Sequence, residues 1–297
     1  MVETKNYGMK PLEEMNVIDD FLFTEIMSDD ECGREACRII LGCVLGREIG
    51  RISMTPQRTV PGITENAHGI RMDVYITESR EDTADISVYD VEPDKRSGKK
   101  EGLPKRSRYY GDLIDVQLLS TGVDYEKLPE LVIIYILSYD PFGDNCIYYE
   151  AGSIIKTHPH IPYNDGIRRI YLYVDGELPE NSGDSFQSLR NLLKYISESK
   201  EANVKDDATG KLDEIVRKTK AKKGIGIKYM KSWERERELR EEGMEIGREE
   251  GREEGREEER KNTEAERKKA EAERARAEAA EARLKKLEAE LAKLKEQ

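Results

Sequence analysis

The chain has 297 residues, 37% of them hydrophobic and 38% charged, with 62 Asp or Glu against 50 Lys or Arg and a formal net charge of −12. That balance excludes a protein that coats nucleic acid through bulk positive charge, since such affinity comes from many phosphate neutralisations, but it leaves room for a local basic patch. No apolar run approaches the ~20 residues of a membrane span, the polar N-terminus is unlike a signal peptide, and Cys32, Cys37, Cys43 and Cys146 show neither zinc spacing nor a disulfide framework, so a cytoplasmic protein with buried thiols and no membrane partner is expected.

In chain order, residues 12–27 predict a helical entry segment with Val17, Ile18, Phe21, Leu22 and Ile26 as its apolar stripe, and residues 33–45 a second helix with Ala36, Ile39, Ile40, Cys43 and Val44 on one side. Residues 51–63 start a strand that Pro56 and Pro61 interrupt. Period-two alternation over 70–77 and again over 85–92, with a turn-like 78–83 between, predicts a hairpin. Pro93 is expected to stop the second strand, and 97–102 to form a polar loop. Pro104 suits the first turn of a helix, whose buried side should carry Tyr110, Leu113, Ile114, Gln117 and Leu118 or their neighbours. The run Leu131-Val132-Ile133-Ile134-Tyr135-Ile136-Leu137 is continuous rather than alternating, which predicts a central strand covered on both faces. Further strands are expected at 146–149 and 168–174, and a helix at 186–196. The order gives a mixed α/β domain, and the absence of GxGxxG and GxxxxGK[ST] patterns argues against dinucleotide or nucleoside-triphosphate binding.

Residues 203–232 are polar and lysine-rich, a linker or a short helix. Beyond them Gly243, Gly247, Gly251 and Gly255 recur within Gly-Arg-Glu-Glu repeats; each glycine weakens a helix by about 1 kcal/mol relative to alanine. Ala277, Ala280, Leu284, Leu287, Leu291 and Leu294 are spaced three and four apart, a short a/d seam. It fits either a coiled coil between copies or a single exposed helix.

The chemistry concentrates between Arg71 and Tyr110. Asp73 lies in an apolar strand, where an unpaired carboxylate is costly, and Glu92 ends the next one. Period two lets Asp73 and Glu92 converge, although a solvated sheet edge satisfies the same spacing. Asp90 and Glu92 share a face, and Asp94 joins them if the strand survives Pro93; Lys95 points the other way unless the chain bends. Arg106 and Tyr110 stand one helical turn apart, spaced to grip a phosphate and position an attacking water. Carboxylates at the ends of neighbouring strands suit a magnesium ion, which takes oxygen ligands, and adjacent positive charge suits phosphodiester cleavage. His68, His158 and His160 are too scattered to form a ligand set.

Taken together, Asp20-Phe21-Leu22-Phe23, Arg71-Met72-Asp73-Val74-Tyr75, Tyr89-Asp90-Val91-Glu92, Leu103-Pro104-Lys105-Arg106-Ser107-Arg108-Tyr109-Tyr110, Asp115-Val116-Gln117-Leu118-Leu119, Gly122-Val123-Asp124-Tyr125 and Asp140-Pro141-Phe142-Gly143 form a chain of linked motifs. Over residues 12–200 it resembles the PD-(D/E)XK nuclease superfamily, specifically the bacterial branch called PD-(D/E)XK nuclease family transposases, related to the recombination-promoting nucleases. The resemblance implies a restriction-endonuclease-like core over 1–202, with a mixed central sheet flanked by helices, then the 203–232 linker and a long charged C-terminal helix over 233–297. It implies a DNA endonuclease using Mg2+ or Mn2+, in recombination or mobile-element biology, with Asp73 and Glu92 as metal ligands. The branch usually has Glu-x-Gln; here that third position is Asp94. Asp94 then becomes a third metal ligand with Lys95 supplying the positive group, or the substitution marks a catalytically impaired scaffold that binds DNA or assembles as a homo-oligomer through its C-terminal helix.

Overall fold

In a computed structural model, residues 9–64, 67–79, 86–119, 122–179 and 182–295 are described. They fall into a compact unit that runs to Met230 and a second unit from Lys231 onward. In chain order the first unit holds helices α1 (Asp20–Met27) and α2 (Asp30–Leu45), strand β1 (Arg51–Pro56), the short β2 (Thr59–Val60) and β3 (Ile70–Arg71), β4 (Val74–Ser79) and β5 (Ile86–Asp94). Then follow α3 (Leu103–Leu118), β6 (Glu130–Leu137), β7 (Tyr148–Ala151), β8 (Ile167–Tyr173), α4 (Asp184–Ser197), α5 (Asp207–Lys220) and the start of α6 (Ile225–Lys295). Among the described residues no helix is long and apolar enough to cross a membrane.

The main sheet has the spatial order β1-β4-β5-β6-β8-β7. Strands β1, β4 and β5 pair antiparallel, β5–β6 and β6–β8 parallel, and β7 closes the far edge antiparallel to β8. The β4–β5 pairing is the expected hairpin partnership, although Glu78 and Ser79 belong to the strand and residues 80–85 of the connection lie outside the described residues. Strand β6 is central and buried from Leu131 to Leu137. On one face its Leu131, Ile133, Tyr135 and Leu137 join Tyr75, Val88 and the α3 residues Leu103, Leu113 and Ile114 in a single apolar cluster. Helix α3 approaches closely because Gly111 faces the sheet: a Cβ there would lie 2.9 Å from Ile167 Cδ1. Val132, Ile134 and Ile136 are buried on the alternate face, while α1, α2, α4 and α5 pack against one another.

Several expectations are corrected. The entry helix starts only at Asp20, after a 3-10 turn at Leu12–Glu14, and α2 starts three residues early because Asp29 caps it, accepting from Cys32 N at 2.9 Å. The strand expected over 70–77 is broken at Met72 and Asp73. Ile70 and Arg71 pair with β2 in a separate two-stranded ladder, and Gln57, at φ 52°, donates its N–H to Asp73 O at 3.0 Å as the chain passes into the main sheet.

Pro93 does not end β5. Ser138 N donates to Asp94 O, so Asp94 directs its backbone toward β6 and Pro93 directs its own toward the β4 side. There β4 has already finished, since its first residue Val74 pairs with Val91; the missing N–H therefore removes no ladder bond. Residues 97–102 form a 3-10 helix, Gln117 is exposed rather than buried, and Cys146 makes only an isolated bridge to Glu177 before β7.

The lysine-rich stretch is largely the helix α5. A reciprocal cap between Asp206 and Thr209 starts it, and Leu212, Ile215 and Val216 are buried. This end of the unit also pins the segment before α1. Ile18 N donates to Ile196 O, Lys220 Nζ to the carbonyls of Glu13 and Met15, and Tyr229 Oη to Lys10 O.

The second unit is a continuous helix through all four repeat glycines, exposed from 234 to 286 and carrying i,i+4 ion pairs such as Glu236–Arg240 and Glu264–Lys268. The side chains of Leu287, Leu291 and Leu294 lie outside the described residues.

Candidate active site

The site forms where β5 runs past the start of β4, under the first turns of α3. Asp73 occupies the break between β3 and β4, and its N–H donates to Glu92 Oε1 at 2.8 Å. Asp73 and Glu92 are therefore neighbours through a main-chain donor, with Asp73 outside the strand in which period two sets it. Gln57 Nε2 reaches Asp73 Oδ1 at 3.3 Å. Strand alternation puts Asp90, Glu92 and Asp94 on the same face as Tyr75 and Tyr135, and these three carboxylates are 0%, 4% and 3% exposed.

Their electrostatics divide them. Both oxygens of Asp90 are buried, and the neighbouring carboxyl of Glu92 is the group that hydrogen-bonds with it among the described residues. Burial and the nearby Asp73 charge push its carboxyl up to about 8, against a pull downward from Glu92. Burial, then the charges of Asp90 and Asp73, drive Glu92 well above the usual carboxylate range. Burial and the charge of Asp20, at the start of α1, raise Asp73 to about 6. Three acids on adjoining elements thus resist ionisation together, which a cation would offset. Asp94 goes the opposite way. Burial would raise it, but Arg96 and Arg106 outweigh that and hold it below its ordinary value.

Arg106 Nη2 lies 2.5 Å from Asp94 Oδ2, and its guanidinium sits 5.1 Å from the centre of the Tyr135 ring. Arg96 donates to the same carboxylate from its backbone N–H at 2.8 Å, from Nε at 2.9 Å and from Nη2 at 3.3 Å. Tyr110, one turn beyond Arg106, is half-buried; burial and the charge of Glu92 lift its hydroxyl to about 12, so it remains a donor at neutral pH. Lys95 does not join the group: its Nζ lies 2.6 Å from Asp19 Oδ1, in a pair that also includes Lys10. Of the expected residues, Asp73, Glu92, Asp94, Arg106 and Tyr110 occupy one region and Lys95 is engaged by Asp19.

Two residues carry more than their sequence positions suggested. Asp90 was visible as a face-mate of Glu92 in an otherwise apolar strand, but period alone gave no reason to prefer it. Arg96 follows the strand, where no periodicity applies. The chain from Lys95 to Arg108, leading from β5 into α3, holds seven Lys or Arg and one Glu, a basic stretch in an acidic protein.

Among the described residues no group of three or more His, Cys, Asp or Glu side chains is placed to hold a metal ion as a ready-made set. Magnesium does not require one, since it commonly keeps its waters and takes one or two carboxylates together with substrate phosphates. Asp73 and Glu92 are oxygen donors of the right kind, and Asp90 beside them, held largely protonated by burial, would gain its charge when a cation is bound. No protein-family model matches the chain, and neither a curated protein nor a solved structure matches it.

Proposed function

We propose that the compact unit is a restriction-endonuclease-like nuclease that hydrolyses DNA phosphodiesters with the help of a divalent cation. The observation that carries this reading is the clustering of the buried Asp90 and Glu92 with the half-buried Asp73, three acids whose carboxyls are raised together with no basic side chain among the described residues hydrogen-bonded to any of them. Such an arrangement costs stability and is retained where a cation or a reaction needs it. Asp73 and Glu92 would hold magnesium or manganese, with Asp90 behind them. A bound ion there supplies Lewis-acid stabilisation and lowers the pKa of water.

The chain's own groups contribute the rest. Tyr110 presents a protonated hydroxyl to a phosphate oxygen. Arg106 and Arg96 place positive charge beside the acids, where negative charge develops on the phosphoryl oxygens. The basic stretch over 95–108 would supply contacts to the DNA backbone that an overall charge of −12 would otherwise oppose.

The test is nicking of supercoiled DNA in Mg2+ or Mn2+ by the wild type, Asp73→Ala and Glu92→Ala, each checked for native circular dichroism. Cleavage by the wild type that both substitutions abolish supports the reading. Equal cleavage by all three proteins refutes it. A second reading, a nuclease scaffold that binds or assembles without cutting, draws on one observation: the Lys95 ammonium is paired with Asp19 and the position two after Glu92 carries an acid. It predicts metal binding without nicking.

A further inference from the structure

Asp94 stands where a metal-binding role is the obvious assignment, and its hydrogen bonds argue against one. A carboxylate offers about four lone-pair directions. Oδ1 of Asp94 accepts from the Arg96 N–H and Nε, and Oδ2 accepts from Nη2 of both Arg96 and Arg106. Its acceptor capacity is used up, and its carboxyl is nearly inaccessible at 3% exposure.

The charge count points the same way. Two guanidinium groups share one carboxylate, leaving a surplus positive charge next to Asp73 and Glu92. Two arginines repel unless something holds them, and Asp94 is the group that does so. Both retain unused donors. The Arg96 side chain is 60% exposed, with Nη1 outside every contact to Asp94, and the Arg106 side chain keeps 23% exposure with only Nη2 on Asp94. A guanidinium fixed through one edge presents its other edge as a planar fork, which matches phosphate geometry.

We infer that Asp94 is a positioning residue that orients Arg96 and Arg106 as a phosphodiester-binding subsite beside the carboxylate group. The ligand class rests on the nuclease reading, but the placement rests on the Asp94 contacts. Asp94 holds the two guanidinium groups apart from Asp73 and Glu92, which would otherwise attract and neutralise them. It thereby keeps anion-binding and cation-binding groups side by side.

The sign of one substitution separates this role from its rivals. Asp94→Asn removes a negative charge, so an acid acting only through its field would, when lost, tighten DNA binding. A positioning residue, when lost, loosens it. A metal ligand, when lost, weakens cation binding. The experiment measures anisotropy of a labelled DNA duplex with the full chain in EDTA and again in Ca2+, across a salt series, with Mn2+ affinity from calorimetry in parallel.

The expected result is DNA binding weakened about tenfold in Asp94→Asn, the equivalent of one charge-assisted hydrogen bond. The salt slope should fall by about one, and Mn2+ affinity should stay within twofold of wild type. Unchanged or tighter DNA binding overturns the inference, as does loss of Mn2+ binding. Arg96→Ala, altering a largely exposed side chain, covers the case in which Asp94→Asn does not fold; it should weaken binding similarly, and unchanged binding overturns the inference. A wild type that binds DNA but never cuts it ends the nuclease reading and leaves the subsite standing. A wild type that binds no DNA in either buffer ends the subsite.

Discussion

Glu78 and Asp90 are buried carboxylates on adjacent strands, and replacing each by its amide should shift stability in opposite directions. Glu78 accepts from Arg47 Nη1 at 2.9 Å and Nη2 at 2.7 Å, from Tyr89 Oη at 2.5 Å and from Gly50 N at 2.7 Å. Burial would raise its carboxyl, but these donors outweigh that and lower it from 4.5 to about 2. A folded pKa below the unfolded one means stability that is present above the unfolded value and lost as pH falls toward the folded one. At pH 7 the shift corresponds to about 3 kcal/mol, and near pH 3 less than half of that remains. Glu78→Gln keeps the shape and some of the acceptors but not the charge, so it should lose that amount at pH 7 and much less at pH 3. The assay is urea unfolding followed by near-ultraviolet circular dichroism, which reports aromatic packing and receives no contribution from the helix beyond Trp233, where no aromatic residue occurs. A loss under about 1 kcal/mol at pH 7, or an equal loss at both pH values, would refute the claim that Arg47 and its neighbours make Glu78 a structural acid.

Four further outcomes follow from the site. Asp90→Asn should raise stability at pH 9 while impairing cleavage, because the raised Asp90 carboxyl loses stabilising protonation as pH climbs through about 8; a destabilised variant at pH 9 would contradict this. Mn2+ affinity should increase between pH 6 and 8.5, since protons compete for the same raised carboxyls, and calorimetry showing a flat profile would count against the site. Lys95→Ala should cost under about 1 kcal/mol, because its pair with Asp19 is half-exposed, and should leave nicking within a few-fold; abolished nicking would return Lys95 to the chemistry. Truncation after Trp233 should leave the compact unit folded and, if copies associate through the helix, convert an oligomer to a monomer in sedimentation; an unchanged mass would remove the helix as the strap.

The parts of the fold set by periodicity were legible in advance. Continuous apolar character marked β6 as central and alternation paired β4 with β5, whereas Asp73 reaches Glu92 from a break in the strand, through its main-chain N–H. The rest depended on groups far apart in sequence. Pro93 reads locally as a strand breaker, and only the early end of β4 makes it harmless. Lys95 and Arg96 are consecutive basic residues, yet one turns to Asp19 and the other to Asp94, a choice fixed by where α1 begins. The stretch over 203–232 looks like a tether by composition, but a lysine-rich helix can bury Leu212, Ile215 and Val216 while its charged side faces water.

The pinning of the segment before α1 bears on how the molecule is made. Lys10, Glu13 and Met15 are held by Tyr229 and Lys220, more than two hundred positions later. During synthesis the early segment therefore emerges long before its partners, and it is pinned only once α5 and the start of α6 have left the ribosome. Until then the segment carrying Lys10 and Met15 has nothing to hold it, so the compact unit closes only when the two ends of its own chain meet.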